Sequence, residues 1–327
     1  MNQAILVTGA SGYLGRNIAK ALLAQGHEVR GLARSEASAA VVRSLGVTPV
    51  RGDLMDPASL RRAMQGVSWL VHAAADTNHG RSTKAQEETN LQGTRNVYDI
   101  AHASGVKRAV HISTEAVLMD GNPIVNADET WPLPTRPAGG YSRTKGAAER
   151  IALQSNGNGM DIIVMRPRFV WGRDDSTALP QLVAAAKSGK LSWIDGGTYL
   201  TSTTHIANVV EGVRLCLEKG RGGEIYFITD DDDVAFRPWI SDLLGTQGVD
   251  VSRLKSVPRS LVSIVVNVGA FLELISGGVL SGPLGRQEYA TIGNTVTLNI
   301  SKAKSELDYK PVISRAEGLA ELRAAPL

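Results

Sequence analysis

The sequence predicts an α/β fold: a doubly wound parallel sheet with a smaller, mostly C-terminal α/β region beside it. Three observations carry this prediction. Short apolar runs alternate with stretches of helical periodicity through the first half of the chain, a glycine-rich turn follows the first run, and the alternation breaks down after residue 167. Strands that are each followed by a helix form parallel sheets covered on both faces, and such sheets bind ligands at the carboxyl ends of their strands.

Seven strands are predicted, each a run of five or six residues. They are AILVT (4–8), EVRGLA (28–33), TPVRG (48–52), WLVHA (69–73), RAVHIS (108–113), DIIVMR (161–166) and EIYFIT (224–229). Helical patterns lie between them, as in LGRNIAKALLAQG (14–26), where Gly26 is expected to end the helix. The acidic run TDDDDV (229–234) is expected to form a solvated turn.

The glycine-rich turn is VTGASGYLG (7–15), which joins the first strand to the first helix. Its glycines stand at positions 9, 12 and 15. Glycine permits a tight turn and lets backbone N–H groups approach a pyrophosphate at the N-terminus of a helix. Between a strand and a helix, this motif predicts a dinucleotide site.

The ends of the second and third strands bear on the choice of cofactor. An acidic residue after the second strand binds the ribose hydroxyls of NAD, whereas an arginine there accommodates the 2′-phosphate of NADP. The sequence reads GLARSE (31–36), with Ala33 followed by Arg34. NADP is therefore predicted, and NAD stays open. In GDL (52–54), Asp53 is expected to accept a hydrogen bond from the adenine amino group.

Composition excludes several classes of function. The chain has 327 residues, 43% hydrophobic and 20% charged, so it can bury an ample core. Its 35 cationic residues are offset by 32 anionic ones without a basic stripe, which argues against nucleic-acid binding. The single cysteine, Cys216, fits a reducing compartment, and the six histidines show no metal-ligand spacing. The strand at residue 4 leaves no room for a signal peptide, so a cytoplasmic location is expected.

One stretch, within residues 258–280, raises the question of a membrane. LVSIVVNVGAFLELISGGVL (261–280) is long enough to span a bilayer, but Asn267, Glu273 and glycines interrupt it. One helical face is apolar, formed by Leu261, Ile264, Val265, Val268 and Leu272. Three interpretations stay open: packing in the core, a lid over an apolar substrate, and peripheral contact with a membrane.

A pair of residues in YSRTK (141–145) suggests chemistry. Tyr141 and Lys145 are four residues apart, so both side chains lie on one face of a helix. Alone, the pair is more simply interpreted as two surface residues.

The chain resembles the extended short-chain dehydrogenase/reductase family, also called the NAD-dependent epimerase/dehydratase superfamily, over nearly its whole length. The motifs that carry the resemblance are TGASGYLG (8–15), GDL (52–54), HAAA (72–75), ETNLQGTRNV (88–97), HISTEAV (111–117), ADETWPLP (127–134), YSRTK (141–145), RPRFVWG (166–172) and SKAKSELDYKP (301–311). STEAV and RPRFVWG are most similar to the branch of 3-beta-hydroxysteroid dehydrogenases, beta-ketoacid reductases and dihydroflavonol reductases. The fold implied is the Rossmann fold.

The resemblance implies a catalytic set of Thr114, Tyr141, Lys145 and Asn90. Tyr141 is the general acid/base, and Thr114 holds the substrate oxygen. Lys145 binds the nicotinamide ribose and, with the oxidised nicotinamide, is expected to lower the pKa of the phenol from its usual value of about 10. Asn90 is expected to relay a proton or to position its neighbours.

The resemblance also implies which residues contact the cofactor. They are Gly9, Ser11, Gly12, Tyr13, Leu14, Gly15, Arg34, Asp53, Leu54, Ala73, Ala74, Ala75, Ser113, Tyr141, Lys145, Pro167, Phe169 and Val170. His72 stands where many relatives carry Asn, and only its backbone is expected to contact the cofactor.

The resemblance also implies how the chain is organised. Residues 1–167 are expected to form an NADP-binding domain, and residues 201–229 are expected to return to it. Residues 168–200 and 230–312 are expected to form a substrate-binding region, followed by a C-terminal helix over 313–327. Helices over 83–104 and 141–156 are expected to pair in a homodimer.

The function implied is hydride transfer between NADP(H) and a hydrophobic secondary alcohol or ketone, such as a 3-beta-hydroxysteroid or a beta-keto acid. A nucleotide-sugar epimerase and a non-catalytic NADP-binding sensor or assembly protein are the alternatives. The intact Thr–Tyr–Lys set argues against the sensor. Thr201, where sugar-nucleotide enzymes of the family carry an arginine, argues against the epimerase, although Arg237 is a candidate for supplying that cation. Glu115 and Ala116, in place of an Asp–Glu pair, argue against a dehydratase.

Overall fold

The structure is a computed structural model that describes residues 2–80, 83–276, 282 and 284–326. Its strands, in chain order, are β1 (Ala4–Thr8), β2 (Glu28–Ala33), β3 (Thr48–Arg51), β4 (Trp69–His72), β5 (Arg108–Ile112), β6 (Ile124–Ala127), β7 (Asp161–Pro167), β8 (Val170–Trp171), β9 (Trp193–Ile194), β10 (Leu200–Thr201), β11 (Thr204–His205), β12 (Ile225–Ile228), β13 (Val234–Ala235), β14 (Ser256–Val257) and β15 (Val296–Leu298).

The helices, in chain order, are α1 (Tyr13–Ala24), α2 (Glu36–Ser44), α3 (Pro57–Ala63), α4 (Lys84–Glu87), α5 (Gly93–Ala103), α6 (Gly140–Gln154), α7 (Ala178–Lys187), α8 (Ile206–Lys219), α9 (Phe236–Gly245), α10 (Arg259–Ile275), α11 (Arg286–Ile292), α12 (Ser301–Leu307) and α13 (Arg315–Ala324). A π-helical turn, Glu88–Gln92, leads into α5, and a 3₁₀ turn, Glu115–Leu118, follows β5.

The main sheet has seven parallel strands in the order β12-β7-β5-β4-β1-β2-β3. Successive side chains of a strand point to opposite faces. In β1, Ile5 and Val7 accordingly lie in one buried cluster and Leu6 in another. The seven predicted strands and the doubly wound fold are confirmed, and each strand end differs from the prediction by at most one residue. Gly26 follows α1 with φ of +87°, in the left-handed region that ends helices.

A second sheet has four strands in the order β13-β10-β15-β6. Ile124 of β6 pairs with Val296 of β15, and Thr201 of β10 pairs with the same residue from the other side. Strand β6 belongs by sequence to the range 1–167, so the first half of the chain also contributes to this second sheet. A third buried cluster, rich in tryptophan (Trp171, Trp193 and Trp239), completes the region.

Helix α10 exposes part of its apolar face. Leu261, Ile264 and Val268, here called the α10 stripe, are 51%, 59% and 52% exposed. Val266 is buried, and the backbone of Gly269 packs closely on that of Gly282. The core-packing interpretation is therefore wrong for the α10 stripe. Residues 277–280 of the predicted apolar stretch lie outside the described residues, and among the described ones no helix is long and apolar enough to cross a bilayer.

The acidic run after β12 is not wholly solvated, contrary to the prediction. Asp230 is buried and accepts hydrogen bonds from Trp171 Nε1 at 2.8 Å, from the His205 amide at 2.6 Å and from Asn208 Nδ2 at 2.8 Å. Because each donor comes from a different element, this carboxylate ties β8 and the start of α8 to the end of β12. Asp231, Asp232 and Asp233 are exposed, as expected.

Candidate active site

The glycine-rich turn after β1 leaves no room for a side chain at two of its glycines. Gly9 has φ of +69°, and a Cβ there would lie 2.8 Å from the Ala74 nitrogen. A Cβ on Gly15 would lie 2.1 Å from the Gly9 carbonyl oxygen. The backbone at Gly9 therefore lies directly against the segment after β4, and a methyl group added at Gly9 would force the turn and that segment apart.

Helix α1 begins directly after this turn with its first N–H groups available. Its N-cap, Gly12, has no side chain to bond them, and the Gly12 amide itself donates to the Gly9 carbonyl at 2.9 Å. Free N–H groups at a helix start attract an anion such as a pyrophosphate. Tyr13 is buried, and its hydroxyl has no hydrogen-bond partner among the described residues. Ser11 and Leu14 are half-buried on the same turn. These features fit the phosphate region of a dinucleotide.

The segment Ala73–Ala75 is fixed beside the glycine turn by a buried polar chain. The Thr8 hydroxyl bonds His72 Nδ1 at 2.7 Å and accepts from the Ala74 amide at 3.2 Å. His72 Nε2 lies 3.2 Å from the Thr94 hydroxyl. The His72 ring thus points into the protein, which agrees with the expectation that only its backbone faces a cofactor.

Three predicted cofactor residues lie at the carboxyl ends of β2 and β3, which are paired neighbours in the sheet. Arg34 is the exposed residue directly after β2. Asp53 is half-buried after β3 and accepts from the Met55 amide at 2.9 Å through Oδ1. Leu54 lies against Gly93 of α5. These three residues therefore lie at the carboxyl edge of the main sheet, at the positions that the sequence predicts.

The predicted catalytic residues meet at the carboxyl end of β5. Tyr141 lies in the first turn of α6 and Lys145 one turn later, and both are buried. Thr114 stands between β5 and the 3₁₀ turn, and its side chain hydrogen-bonds the Tyr141 phenol. Lys145 Nζ donates to the Ile112 carbonyl at 2.7 Å. Thr114, Tyr141 and Lys145 are thus brought together as the family resemblance implies.

In the protein alone, without the oxidised nicotinamide that the expected lowering includes, the pKa of Tyr141 is raised. Burial raises it above its usual value of 10.0, the charge of Glu115 raises it further, and the hydrogen bond with Thr114 lowers it in part. Burial also lowers the pKa of Lys145 to about 8, against the attraction of Glu149. The two shifts share one cause, since a dry site disfavours both the phenolate and the ammonium.

Glu149 connects α6 to the sheet. It forms a buried ion pair with Arg166 of β7, with Nε at 2.9 Å from Oε2, and also accepts from the Ser113 hydroxyl. The Ser113 side chain is therefore directed at Glu149. Beyond Arg166, the chain runs along the carboxyl edge of the sheet through Pro167, Phe169 and Val170, where Phe169 has φ of +39°.

Asn90, in the π-helical turn, has an amide that holds a loop. Its Oδ1 accepts from the Asp76 amide at 2.7 Å, and its Nδ2 donates to the Asp76 carbonyl at 3.0 Å and to the Thr144 hydroxyl at 3.1 Å. The loop after β4 carries His79, whose ring centre lies 4.5 Å from that of Tyr141. Sequence reasoning did not find His79, because a histidine in a loop has no periodic signal.

The sequence also did not predict a buried ion pair at this site. Arg168 NH1 lies 2.6 Å from Glu115 Oε1, with side chains 1% and 5% exposed. Arg168 Nε and NH2 donate to the Thr201 hydroxyl at 3.1 and 3.0 Å. A cation thus does reach Thr201, but it comes from Arg168, while Arg237 lies over the ring of Trp193.

Comparisons with known proteins agree with this geometry. The model of the NAD dependent epimerase/dehydratase family matches residues 5–229. A 4-hydroxy-2-methyl-3-oxo-4-farnesyl-3,4-dihydroquinoline-1-oxide ketoreductase of Stigmatella aurantiaca is 44% identical over 98% of this chain and 95% of its own. A decarboxylating sterol-4-alpha-carboxylate 3-dehydrogenase of Dictyostelium discoideum is 32% identical over 97% of this chain and 99% of its own. Among solved structures, a double mutant of the dTDP-glucose 4,6-dehydratase DesIV of Streptomyces venezuelae, with NAD bound, has a TM-score of 0.76 at 27% identity, over 98% of this chain and 95% of that one.

Proposed function

Because this chain belongs to the NAD dependent epimerase/dehydratase family, as an extended short-chain dehydrogenase/reductase, we propose that it reduces a ketone of a hydrophobic substrate with NADPH. That it is an oxidoreductase using a nicotinamide dinucleotide follows from its relatives. The names of the two relatives above describe redox chemistry at position 3 of large, mostly apolar molecules. A secondary alcohol/ketone pair on such a skeleton is the substrate class that we propose.

One observation carries the proposal for this chain. The Tyr141 phenol is buried beside Thr114 at the carboxyl end of β5, and Lys145 follows one helical turn later. The glycine turn opens at the same edge, since β1 and β5 both flank β4. A proton donor and a dinucleotide cradle thus share one edge of the sheet, as carbonyl reduction requires.

The residues that would hold the cofactor are those that line this edge. The first turn of α1 would hold the pyrophosphate together with Ala73–Ala75, and Lys145 would bind the nicotinamide ribose. The cofactor supplies the hydride. Tyr141 donates its phenolic proton to the carbonyl oxygen, so the C=O group becomes an alcohol as its carbon receives the hydride. Burial keeps Tyr141 protonated in the absence of substrate, which suits a group that must give a proton away.

Arg34 supports NADP over NAD. It is exposed at the end of β2, where an acidic residue would bind the ribose hydroxyls of NAD. A guanidinium pairs with the 2′-phosphate through charge-assisted hydrogen bonds, which an unphosphorylated ribose does not offer. We therefore assign NADP as the preferred cofactor.

The Arg168–Glu115 pair supports a substrate without a pyrophosphate. Arg168 is the guanidinium beside Thr201, but Glu115 neutralises it, and its Nε and NH2 groups donate to the Thr201 hydroxyl and the Thr291 carbonyl. A pyrophosphate would have to displace Glu115 and leave a buried carboxylate unpaired, which is costly. The same pairing leaves Glu115 unsuited to the acid/base role of the acidic residue at that position in dehydratases.

The test is turnover of NADPH with a panel of hydrophobic ketones, followed by the absorbance of the reduced nicotinamide. Tyr141→Phe should lower kcat by about 100-fold or more, the usual loss for a missing general acid, while NADPH binding is kept. Tyr226→Phe is the matched control, because it removes a hydroxyl that bonds Glu306 far from the site. Wild-type turnover by Tyr141→Phe would show that the phenol is not the acid.

A further inference from the structure

Helix α6, which carries Tyr141 and Lys145, begins without a capping side chain of its own. Its N-cap residue is Gly139, which has no side chain to accept a hydrogen bond from the first turn. The usual N-cap residues, Ser, Thr, Asp and Asn, accept from the N–H group two or three positions later. In α6 the third position is Ser142, directly after Tyr141. The turn that holds Tyr141 therefore needs an acceptor from another element.

Helix α11 supplies that acceptor. Gln287 Oε1 accepts a hydrogen bond from the Ser142 amide at 3.1 Å, although the two residues are 145 positions apart in the chain. Both residues are buried, so water does not compete for this bond. The side chain of Gln287 thus does for α6 what the side chain of an N-cap residue does in other helices.

The same contact explains the glycine at position 139. Gly139 has φ of −165°, an extended conformation that any residue adopts, so its backbone does not require glycine. A Cβ there would lie 2.8 Å from the Gln287 Cβ and 3.0 Å from the Gln287 Oε1. Gln287 therefore occupies the space that a capping side chain at position 139 would need, and the two ways of capping α6 exclude each other.

Helix α11 is also bonded to two other parts of the protein. Its Thr291 carbonyl accepts from Arg168 NH2 at 3.0 Å. Its Tyr289 hydroxyl lies 3.2 Å from the hydroxyl of Ser263 on α10. Helix α11 thus joins the start of the catalytic helix to the buried ion pair of Arg168 and to α10, both of which belong to the proposed substrate-binding region.

We propose that Gln287 is a positioning residue, which caps the first turn of α6 from the proposed substrate-binding region and thereby fixes the Tyr141 phenol. The inference rests on the proposed role of Tyr141 as the acid, and it adds how that acid is held. Gln287 acts through the backbone of Ser142 rather than on the reacting atoms. Small displacements matter at this point, because a misplacement of about 1 Å in an active site costs about 100-fold in rate.

Gln287→Met tests the proposal, because methionine is similar in length but has no oxygen to accept the bond. In the protein without cofactor, backbone amides of residues 139–145 should exchange hydrogen about 2- to 30-fold faster by mass spectrometry, the equivalent of a lost helix cap. For the reduction of a ketone from the panel, kcat should fall by about 10-fold or more. The Kd of NADPH should stay almost unchanged, because Lys145 lies one turn beyond the capped turn.

A restored cap separates positioning from a general loss of stability. In the double variant Gln287→Gly/Gly139→Ser, the glutamine is removed and the new hydroxyl at the N-cap can accept from the Ser142 amide. This variant should recover slow exchange and most of kcat, whereas Gln287→Gly alone should not. Ser314→Ala is the matched control, because it removes the side chain that caps α13 by accepting from the Glu317 amide at 3.3 Å. It should leave kcat and the exchange of residues 139–145 unchanged.

Three results would overturn the inference: unchanged exchange in Gln287→Met, faster exchange with an unchanged kcat, and a loss of kcat that the restored cap does not reverse. The proposed function is judged separately. It fails if Tyr141→Phe stays active, whereas the exchange measurement needs neither cofactor nor turnover.

Discussion

His72 should make the protein sensitive to mild acid. The ring is buried at the end of β4 between Thr8 and Thr94, and burial, followed by the charge of Lys145, lowers its pKa from 6.5 to about 3. A group whose pKa is lower in the folded state contributes stability that is complete above its unfolded pKa and is lost as pH falls towards the folded one. The window here runs from pH 6.5 down to about 3.

The size of the effect follows from that window. Each pH unit inside it costs about 1.4 kcal/mol. Between pH 7 and pH 5 the chain crosses about 1.5 units of the window, so His72 alone should lower the free energy of unfolding by about 2 kcal/mol. His111 lies next to His72 and has its pKa lowered by the same burial, so it adds to the loss in the whole protein.

Urea denaturation at pH 7 and pH 5, followed by tryptophan fluorescence, measures the effect. Asn in place of His72 keeps a polar group between the two threonines but does not titrate. The stability of His72→Asn should therefore fall by about 2 kcal/mol less than that of the wild type over this range. Equal losses in both proteins would refute the reasoning, because they would show that the buried ring does not take up a proton on unfolding.

Three other predictions concern binding. Arg34→Ala should weaken the binding of NADPH by about 10- to 150-fold in a fluorescence titration, which is the equivalent of one charge-assisted hydrogen bond. The binding of NADH should be almost unchanged. Equal losses of affinity for both cofactors would contradict the assignment of NADP. Isothermal titration with UDP-glucose should give no measurable heat, and a micromolar Kd would instead favour the epimerase. We also propose that the α10 stripe contacts a membrane surface. The wild type should then sediment with phospholipid vesicles, whereas a variant with glutamine at all three stripe positions should stay in the supernatant. Glutamine at Val125 and Val312, which are 58% and 59% exposed elsewhere, is the matched control, and a wild-type protein that stays in the supernatant rules membrane contact out.

The main sheet could be predicted from the sequence because its signals are local. A buried parallel strand is a continuous apolar run, and the turn after β1 needs glycine at Gly9, where φ is +69°. The pairing of β6 with β15 could not be predicted. These strands have four and three residues and lie far apart in the chain, so neither shows a measurable periodicity.

The candidate site was predictable in its members but not in its electrostatics. Thr114, Tyr141 and Lys145 follow from the motifs that this chain shares with its family. The Arg168–Glu115 pair joins residues that are 53 positions apart in the chain, and no local sequence pattern predicts such a contact. The direction of the Tyr141 pKa shift depends on burial and on the nearby charge of Glu115, and only the folded chain provides them.

The second sheet has a consequence for the order in which the protein assembles during synthesis. The seven-stranded sheet is complete when β12 ends at Ile228, and the glycine turn, Tyr141 and Lys145 have all been made by then. The proposed substrate-binding region has to wait for β15, which links β6 to β10, and for α11, whose Thr291 carbonyl holds Arg168. Contacts over such long separations form late. A nascent chain should therefore acquire the ability to bind a dinucleotide before it can select a substrate.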